Sequence, residues 1–326
     1  MNIISKTNLW LSISSLFIIT SIALLVVFGL KQNIDFTGGS LVEINYKINR
    51  PEIGDIRSGL DELGLGTINI SPIGSNGVIL RLKDISEEDH QKVLASLRVQ
   101  ATDVETEIKQ PDENSQATDV VTIEQPVVEI DNANNDVLEE LRFDSVGPSI
   151  GQELREKSLY ATIIVLILIV AYIAYSFRKV SKPVASWKYG LAAIVALAHD
   201  VLFVLGVFAL LGRFMGVEID TSFVVAILTV LGYSVNDTIV VFDRIRENLP
   251  RSDKNFADTI NDSLNQTIGR SINTSFTTLL VLLALLFWGG DTIHYFVLAL
   301  VIGIVSGTYS SIFLASPLLV FWQRRQ

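Results

Sequence analysis

Six runs of mostly apolar residues decide what this chain can fold into. They lie at positions 9–30, 159–177, 189–211, 219–242, 271–288 and 295–322. About 20 apolar residues in a helix cross the roughly 30 Å hydrocarbon core of a bilayer. Inside that core every backbone polar group needs an internal partner, so the runs must be helices. Hydrophobic residues make up 49% of the chain, charged residues only 18%, and the mean hydropathy is +0.43. The expected class is therefore a polytopic α-helical membrane protein. The first run follows a single early Lys6 and passes into Gly29-Leu30-Lys31 without a small-x-small site. It reads as an uncleaved span.

The fourth run breaks the apolar rule at Asp237, roughly 9 Å along a helix axis before the charged end at Asp243. A carboxylate in hydrocarbon costs at least about 2.5 kcal/mol, so it needs a partner, a wet cavity or a job. Tyr233 lies at i−4 on the same face, with Ser234 and Asn236 beside it. The fifth run opens with Arg270, Asn273, Thr274, Thr277 and Thr278 at i, i+3, i+4, i+7 and i+8, a second polar stripe. Two such stripes predict an Asp237–Arg270 pair along a path through the bundle. Asp200, beside His199, falls near the middle of the third run. In the sixth run Gly303, Gly307 and Ser311 recur at i+4, a small-residue face for close helix packing.

Between the first two runs lies a water-soluble pattern. Gly38 and Gly39 permit a turn with positive φ. Residues 41–48 then alternate as a half-buried strand, 51–63 read as a short helix, and 67–70 and 77–82 as two strands. Ser86 opens a capping-box sequence for a helix to about residue 98. With another strand near 137–143, the order predicts a small α+β ferredoxin-like domain. Gly147, Pro148 and Gly151 mark a turn into the next span. The expected division is residues 1–30 as first span, 31–157 as α+β domain and 158–326 as a five-helix region.

The net charge of −10 is local. From residue 101 to 136 ten acids face only Lys109, so this acidic insertion at about 102–136 carries −9. It reads as a solvated insertion or as a hairpin built on 120–123 and 127–130. The rest is near neutral, which gives no electrostatic case for nucleic-acid binding. There is no cysteine, and the three histidines lack metal-ligand spacing. No Walker A, paired-Asp, Ser-Lys or H-E-x-x-H pattern is present, so neither cofactor, metal nor enzymatic chemistry is expected.

Lys and Arg concentrate in two loops and the C-terminus. Four follow the second span, five lie in the loop after the fourth span counted through Arg270, and Arg324-Arg325 come near the end; the two opposite short loops hold only Arg213. The positive-inside rule predicts cytoplasmic termini and an extracytoplasmic α+β domain.

Asp35-Phe-Thr-Gly-Gly39, Gly147-Pro-Ser-Ile-Gly151, Ala198-His-Asp-Val201, the run from Thr229 to Glu247, and Arg270-Ser-Ile-Asn-Thr-Ser-Phe-Thr-Thr278 together carry a resemblance. The chain resembles the SecD/SecF family of the RND superfamily over nearly its whole length, topology included. The acidic insertion is the departure, since it exceeds the family's usual external domain. The resemblance implies a heterodimer with SecD, docked on the SecYEG channel, using the proton-motive force to complete export of unfolded polypeptides across the bacterial inner membrane. YajC and YidC are further candidate partners, and lipid surrounds the spans. It also implies an essential intramembrane Asp and Arg at Asp237 and Arg270. The place of Asp200 in the third run reads as a second relay station or a partner for a group on SecD. Tyr233, Asn236, Asn273, Thr274, Thr277 and Thr278 would support the relay. An RND-type proton-coupled exporter of small molecules or lipids is the alternative.

Overall fold

A computed structural model describes residues 2–47, 49–108, 137–177 and 186–323. The chain forms two compact units, one of residues 34–153 and one of residues 1–33 with 154–326.

The smaller unit has the order βαββαβ. After a one-turn helix α2 (Ile34–Thr37) come β1 (Gly39–Tyr46), α3 (Ile53–Asp61), β2 (Asn69–Ile73), β3 (Gly77–Leu82), α4 (Glu87–Ile108) and β4 (Leu138–Val146). The sheet runs β2-β3-β1-β4, with antiparallel neighbours throughout. This is the ferredoxin-like arrangement that the sequence pattern called for. Alternation along β1 and β3 sends Val42, Ile44, Val78 and Leu80 into the core. There they meet Ile56 and Leu60 of α3 and Val93 and Leu97 of α4. Ser86 caps α4 by accepting from the Asp89 amide at 3.2 Å and donating to the Asp89 carboxylate. The helix runs ten residues past the expected end near Arg98, into the start of the acidic stretch. Residues 109–136, with both candidate hairpin strands, lie outside the described residues, as do Arg178, Lys179, Lys182, Arg324 and Arg325.

Gly38 and Gly39 have φ of 71° and 130°. A Cβ on Gly38 would lie 2.7 Å from the Pro148 Cα, and one on Gly151 would lie 2.8 Å from the Gly38 nitrogen. The two glycine-containing turns are therefore packed against each other, which only residues without Cβ at 38 and 151 allow.

The larger unit is helical. Among the described residues six helices are long and apolar enough to cross a membrane. Its principal elements are α1 (Thr7–Phe28), α5 (Pro148–Phe177, which starts in the smaller unit), α6 (Ser186–Phe214), α7 (Thr221–Asn248), α8 (Phe256–Trp288) and α9 (Asp291–Ser310). A π-turn (Ser311–Ala315) joins α9 to α10 (Ser316–Gln323). α9 sits at the centre, packed on α6, α7 and α8, while α1 packs on α6 and α10. The region 243–269 holds the end of α7 and the first half of α8. α8 begins at Phe256 behind an Asn255 cap and continues unbroken through Gly269 into the apolar span. Its first half is tied down by a buried i+4 series, Thr259, Ser263 and Thr267, joined by Ile260 and Leu264. The Ser263 hydroxyl accepts from Asn248 at the end of α7.

Candidate functional site: two buried carboxylates in the helix bundle

α7 presents one continuous buried face, Phe223, Ile227, Val230, Ser234, Thr238, Val241 and Ile245, with Asp237 on its edge. α9 approaches this face closely. A Cβ on Gly303 would fall 2.2 Å from a Val230 methyl, and one on Gly307 would fall 3.0 Å from the Ser234 Cβ. The small residues of the sixth span thus pack within the chain, against α7, as small-residue faces do between membrane helices.

The close approach places hydroxyls on carboxylates. Asp237 is 7% exposed. Its Oδ1 accepts from the Ser271 hydroxyl of α8 at 2.5 Å, and its Oδ2 accepts from the Ser311 hydroxyl at the start of the π-turn. Asp200 of α6 is fully buried. Its Oδ1 accepts from Ser306 at 2.7 Å; its Oδ2 accepts from Ser234 at 2.6 Å and Ser310 at 2.7 Å. The His199 Nδ1 lies 3.0 Å from the same carboxylate, whereas its Nε2 is buried without a hydrogen-bond partner among the described residues. The His199 ring stacks between Phe203 and Tyr309, and the Tyr309 hydroxyl reaches Ser14 of α1 at 3.2 Å. A second hydroxyl string runs beside Asp237: Tyr233 donates to Ser275 at 3.1 Å, and Ser275 meets Thr308 at 2.5 Å. Hydrogen bonds of this kind are the normal way to keep a buried charge.

The expected Asp237–Arg270 pair does not form. Arg270 is exposed on α8, and both oxygens of Asp237 are taken by serines. The inward face of α8 is Ser263, Thr267, Ser271 and Ser275. The expected stripe starts one residue earlier, about 100° round the helix. Accordingly Asn273, Thr274 and Thr277 are exposed and Thr278 is half-buried, and the three threonines bond backbone carbonyls of their own helix. On α7, Tyr233 joins the hydroxyl string, but Asn236 is exposed. The pattern reading missed Ser271, Ser306 and Ser310, placed Ser234 beside Asp237 rather than on Asp200, and read Ser311 for helix packing alone. Their available signal was spacing: Ser306 and Ser310 are four apart, as are Ser271 and Ser275.

A six-span helical membrane protein that holds two buried, serine-bonded carboxylates and carries a ferredoxin-like unit is the class the fold and site define. Residues 127–325 match the family described as protein export membrane protein SecD/SecF, C-terminal. A relative from Thermobaculum terrenum named protein translocase subunit SecF is 44% identical, over 96% of this chain and 91% of the relative. A second of the same name, from Anaerolinea thermophila, is 35% identical over 99% of this chain and 94% of the relative. The chain belongs to the SecD/SecF family of protein-export membrane proteins, as an accessory subunit of Sec-dependent export.

Among solved structures the chain resembles SecDF, a translocon-associated membrane protein, from Thermus thermophilus. The TM-score is 0.75 at 31% identity, over all of this chain and 39% of that one. Against SecDF in its super-membrane-facing form the TM-score is 0.63. This chain therefore spans well under half of the SecDF polypeptide.

Proposed function

We propose that the chain works with SecD as a proton-driven subunit that assists export of unfolded polypeptides through SecYEG. Its termini would be cytoplasmic and its α+β unit extracytoplasmic, in the bacterial inner membrane. The observation that carries this reading is Asp237, a carboxylate buried in a membrane bundle and held by two serines, with no cation paired to it among the described residues. Such a group is costly to keep, and intramembrane carboxylates mark proton relays. Asp237 takes and releases the proton; Asp200 is the second station.

Arg270 acts from a different position than a direct pair with Asp237. With Asn273, Thr274 and Thr277 it forms an exposed polar face on a span otherwise built for hydrocarbon. A guanidinium facing lipid is disfavoured, so we assign this face to the SecD contact. The match to SecDF, in which one polypeptide carries much more than this chain, supports that assignment.

The test is secretion in cells carrying Asp237→Asn, with SecD association followed by co-purification. Export falling to the level of cells lacking the subunit, with SecD still bound, is the expected result. Normal export would remove Asp237 from the mechanism and leave this subunit a scaffold.

A further inference from the structure

Ser310 and Ser311 are consecutive, yet their hydroxyls go to different carboxylates. Ser310 donates to Asp200 at 2.7 Å and Ser311 donates to Asp237. Both also reach the same backbone acceptor, the Gly307 carbonyl, at 3.2 and 2.9 Å. That carbonyl already accepts the Ser311 amide. A serine hydroxyl has one hydrogen to give. An ionised carboxylate outcompetes a neutral carbonyl for it, because charge-assisted bonds are about twice as strong. Once a carboxyl is protonated the advantage shrinks, and the Gly307 carbonyl becomes the competing acceptor. The turn where this choice is made is also where α9 gives way to the π-turn at Ser311–Ala315. Single π-turns occur mostly within α-helices at functional positions.

We propose that Ser310 and Ser311 are positioning residues that tie the protonation of Asp200 to that of Asp237 through one turn of α9. The proposal rests on the proton-carrying reading of Asp237. The titratable groups joined in this network are Asp200 and His199 on α6, Asp237 and Tyr233 on α7, and Tyr309 on α9. From α8 this region receives the hydroxyls of Ser271 and Ser275, with Arg270 turned outward. Neither carboxylate is hydrogen-bonded to the other's serines; two helix turns link the nests, the Ser310–Ser311 turn and the α7 turn from Ser234, a donor to Asp200, to Asp237, and only the first brings both hydroxyls to one competing carbonyl. A proton at one site changes which acceptor its serine prefers, and the adjacent serine is displaced with it.

The experiment is an infrared titration of the full chain, co-purified with SecD and reconstituted in proteoliposomes. Bands of the protonated carboxyls are assigned with Asp237→Asn and Asp200→Asn. Replacing Asp200 by Asn should change the proton affinity of Asp237 by about fivefold or more, a typical coupling between linked sites. In a Ser310→Ala or Ser311→Ala background that difference should vanish, and Ser→Thr at the same position should restore it. Ser310→Cys and Ser311→Cys, which keep the volume with a weak donor, serve where the alanine variants fail to assemble. A difference that survives in these backgrounds, or is absent from the parent, overturns the coupling while leaving Asp237 a proton carrier. An Asp237 band that does not titrate at all overturns the proton-carrying reading, and the coupling with it.

Discussion

The two units of this chain bury different things. In the α+β unit the core is made of Val42, Ile44, Ile56, Leu80, Val93 and Leu97, and the only buried polar side chains among the described residues are Ser40 and His90, apart from the phenol of Tyr46. His90 stacks on Phe143 with ring centroids 3.8 Å apart; its Nε2 lies 3.1 Å from Glu140 but out of line for a hydrogen bond. In the helical unit the buried centre holds Asp200, Asp237, His199 and a series of serines and threonines. The reason is the solvent. Water drives apolar side chains together, so a soluble sheet-and-helix unit is held by area removed from water. Lipid tails are as apolar as leucine, so helices within them are held by close packing and by hydrogen bonds. One unit is built from methyl groups, the other from small residues and hydroxyls.

The largest effect should come from the α+β core. Leu80→Ala removes a fully buried side chain and should destabilise that unit by about 2–5 kcal/mol. Hydrogen exchange of β1 and β3 in the full chain would report it, with α7 and α9 keeping their protection. Next is overpacking in the bundle. Gly303→Ala forces a methyl onto Val230 and should cost about 1–3 kcal/mol, read as loss of thermal stability in detergent micelles. A silent Gly303→Ala would mean that α7 and α9 are not held by close approach, and the contrast between the units would weaken. Smaller again is Ser234→Ala, which leaves Asp200 with one donor fewer. Membrane double-mutant cycles put such bonds at about 0.6 kcal/mol and at most about 1.7. The same thermal measurement checks it, and an effect well above that range would show Asp200 to be a structural keystone.

What could be read from the residues follows the same division. The α+β unit was legible because alternation, helix period, the Ser86 cap and the Gly38-Gly39 turn are local signals, and local signals in water agree with the core they build. The spans were legible by length, and Asp237 by its cost in hydrocarbon. The orientation of α8 was not. Polar residues at 270, 273, 274, 277 and 278 form one stripe, and those at 263, 267, 271 and 275 form another. Nothing in the pattern says which stripe meets α7. Burial of Thr259, Ser263 and Thr267 by the rest of the bundle settles it, and that burial depends on α8 being continuous across Gly269. The serine nests were hidden for a related reason. Serine and threonine in an apolar helix bond their own backbone by default, as Thr229 does to Val225, so a hydroxyl serving a distant carboxylate looks the same in sequence.

Tyr46 gives the smallest and sharpest test of the contrast. Its ring is buried under the α+β sheet at the end of β1, and its hydroxyl has no hydrogen-bond partner among the described residues. Burial pushes the phenol well above its ordinary range, with the Arg50 charge opposing only in part. The sign follows from linkage. The unfolded chain ionises this tyrosine near pH ~10, whereas the folded unit resists doing so. The stability tied to the neutral phenol is therefore complete below about pH 10 and is lost as pH rises beyond it. Tyr46→Phe should be neutral or slightly stabilising near neutral pH, by up to about 1 kcal/mol, because the removed hydroxyl was satisfied only in the unfolded state. The same variant should lose part of the alkaline weakening. Urea midpoints of the α+β unit by pulse proteolysis of the full chain, at neutral and at strongly alkaline pH, would measure both effects. In the bundle, removing a hydroxyl at Ser234 is expected to weaken the protein; in the α+β core, removing one at Tyr46 is expected not to. A Tyr46→Phe variant that unfolds more readily at neutral pH would mean that this hydroxyl is held by a bond after all, and that the soluble core depends on polar contacts as the membrane core does.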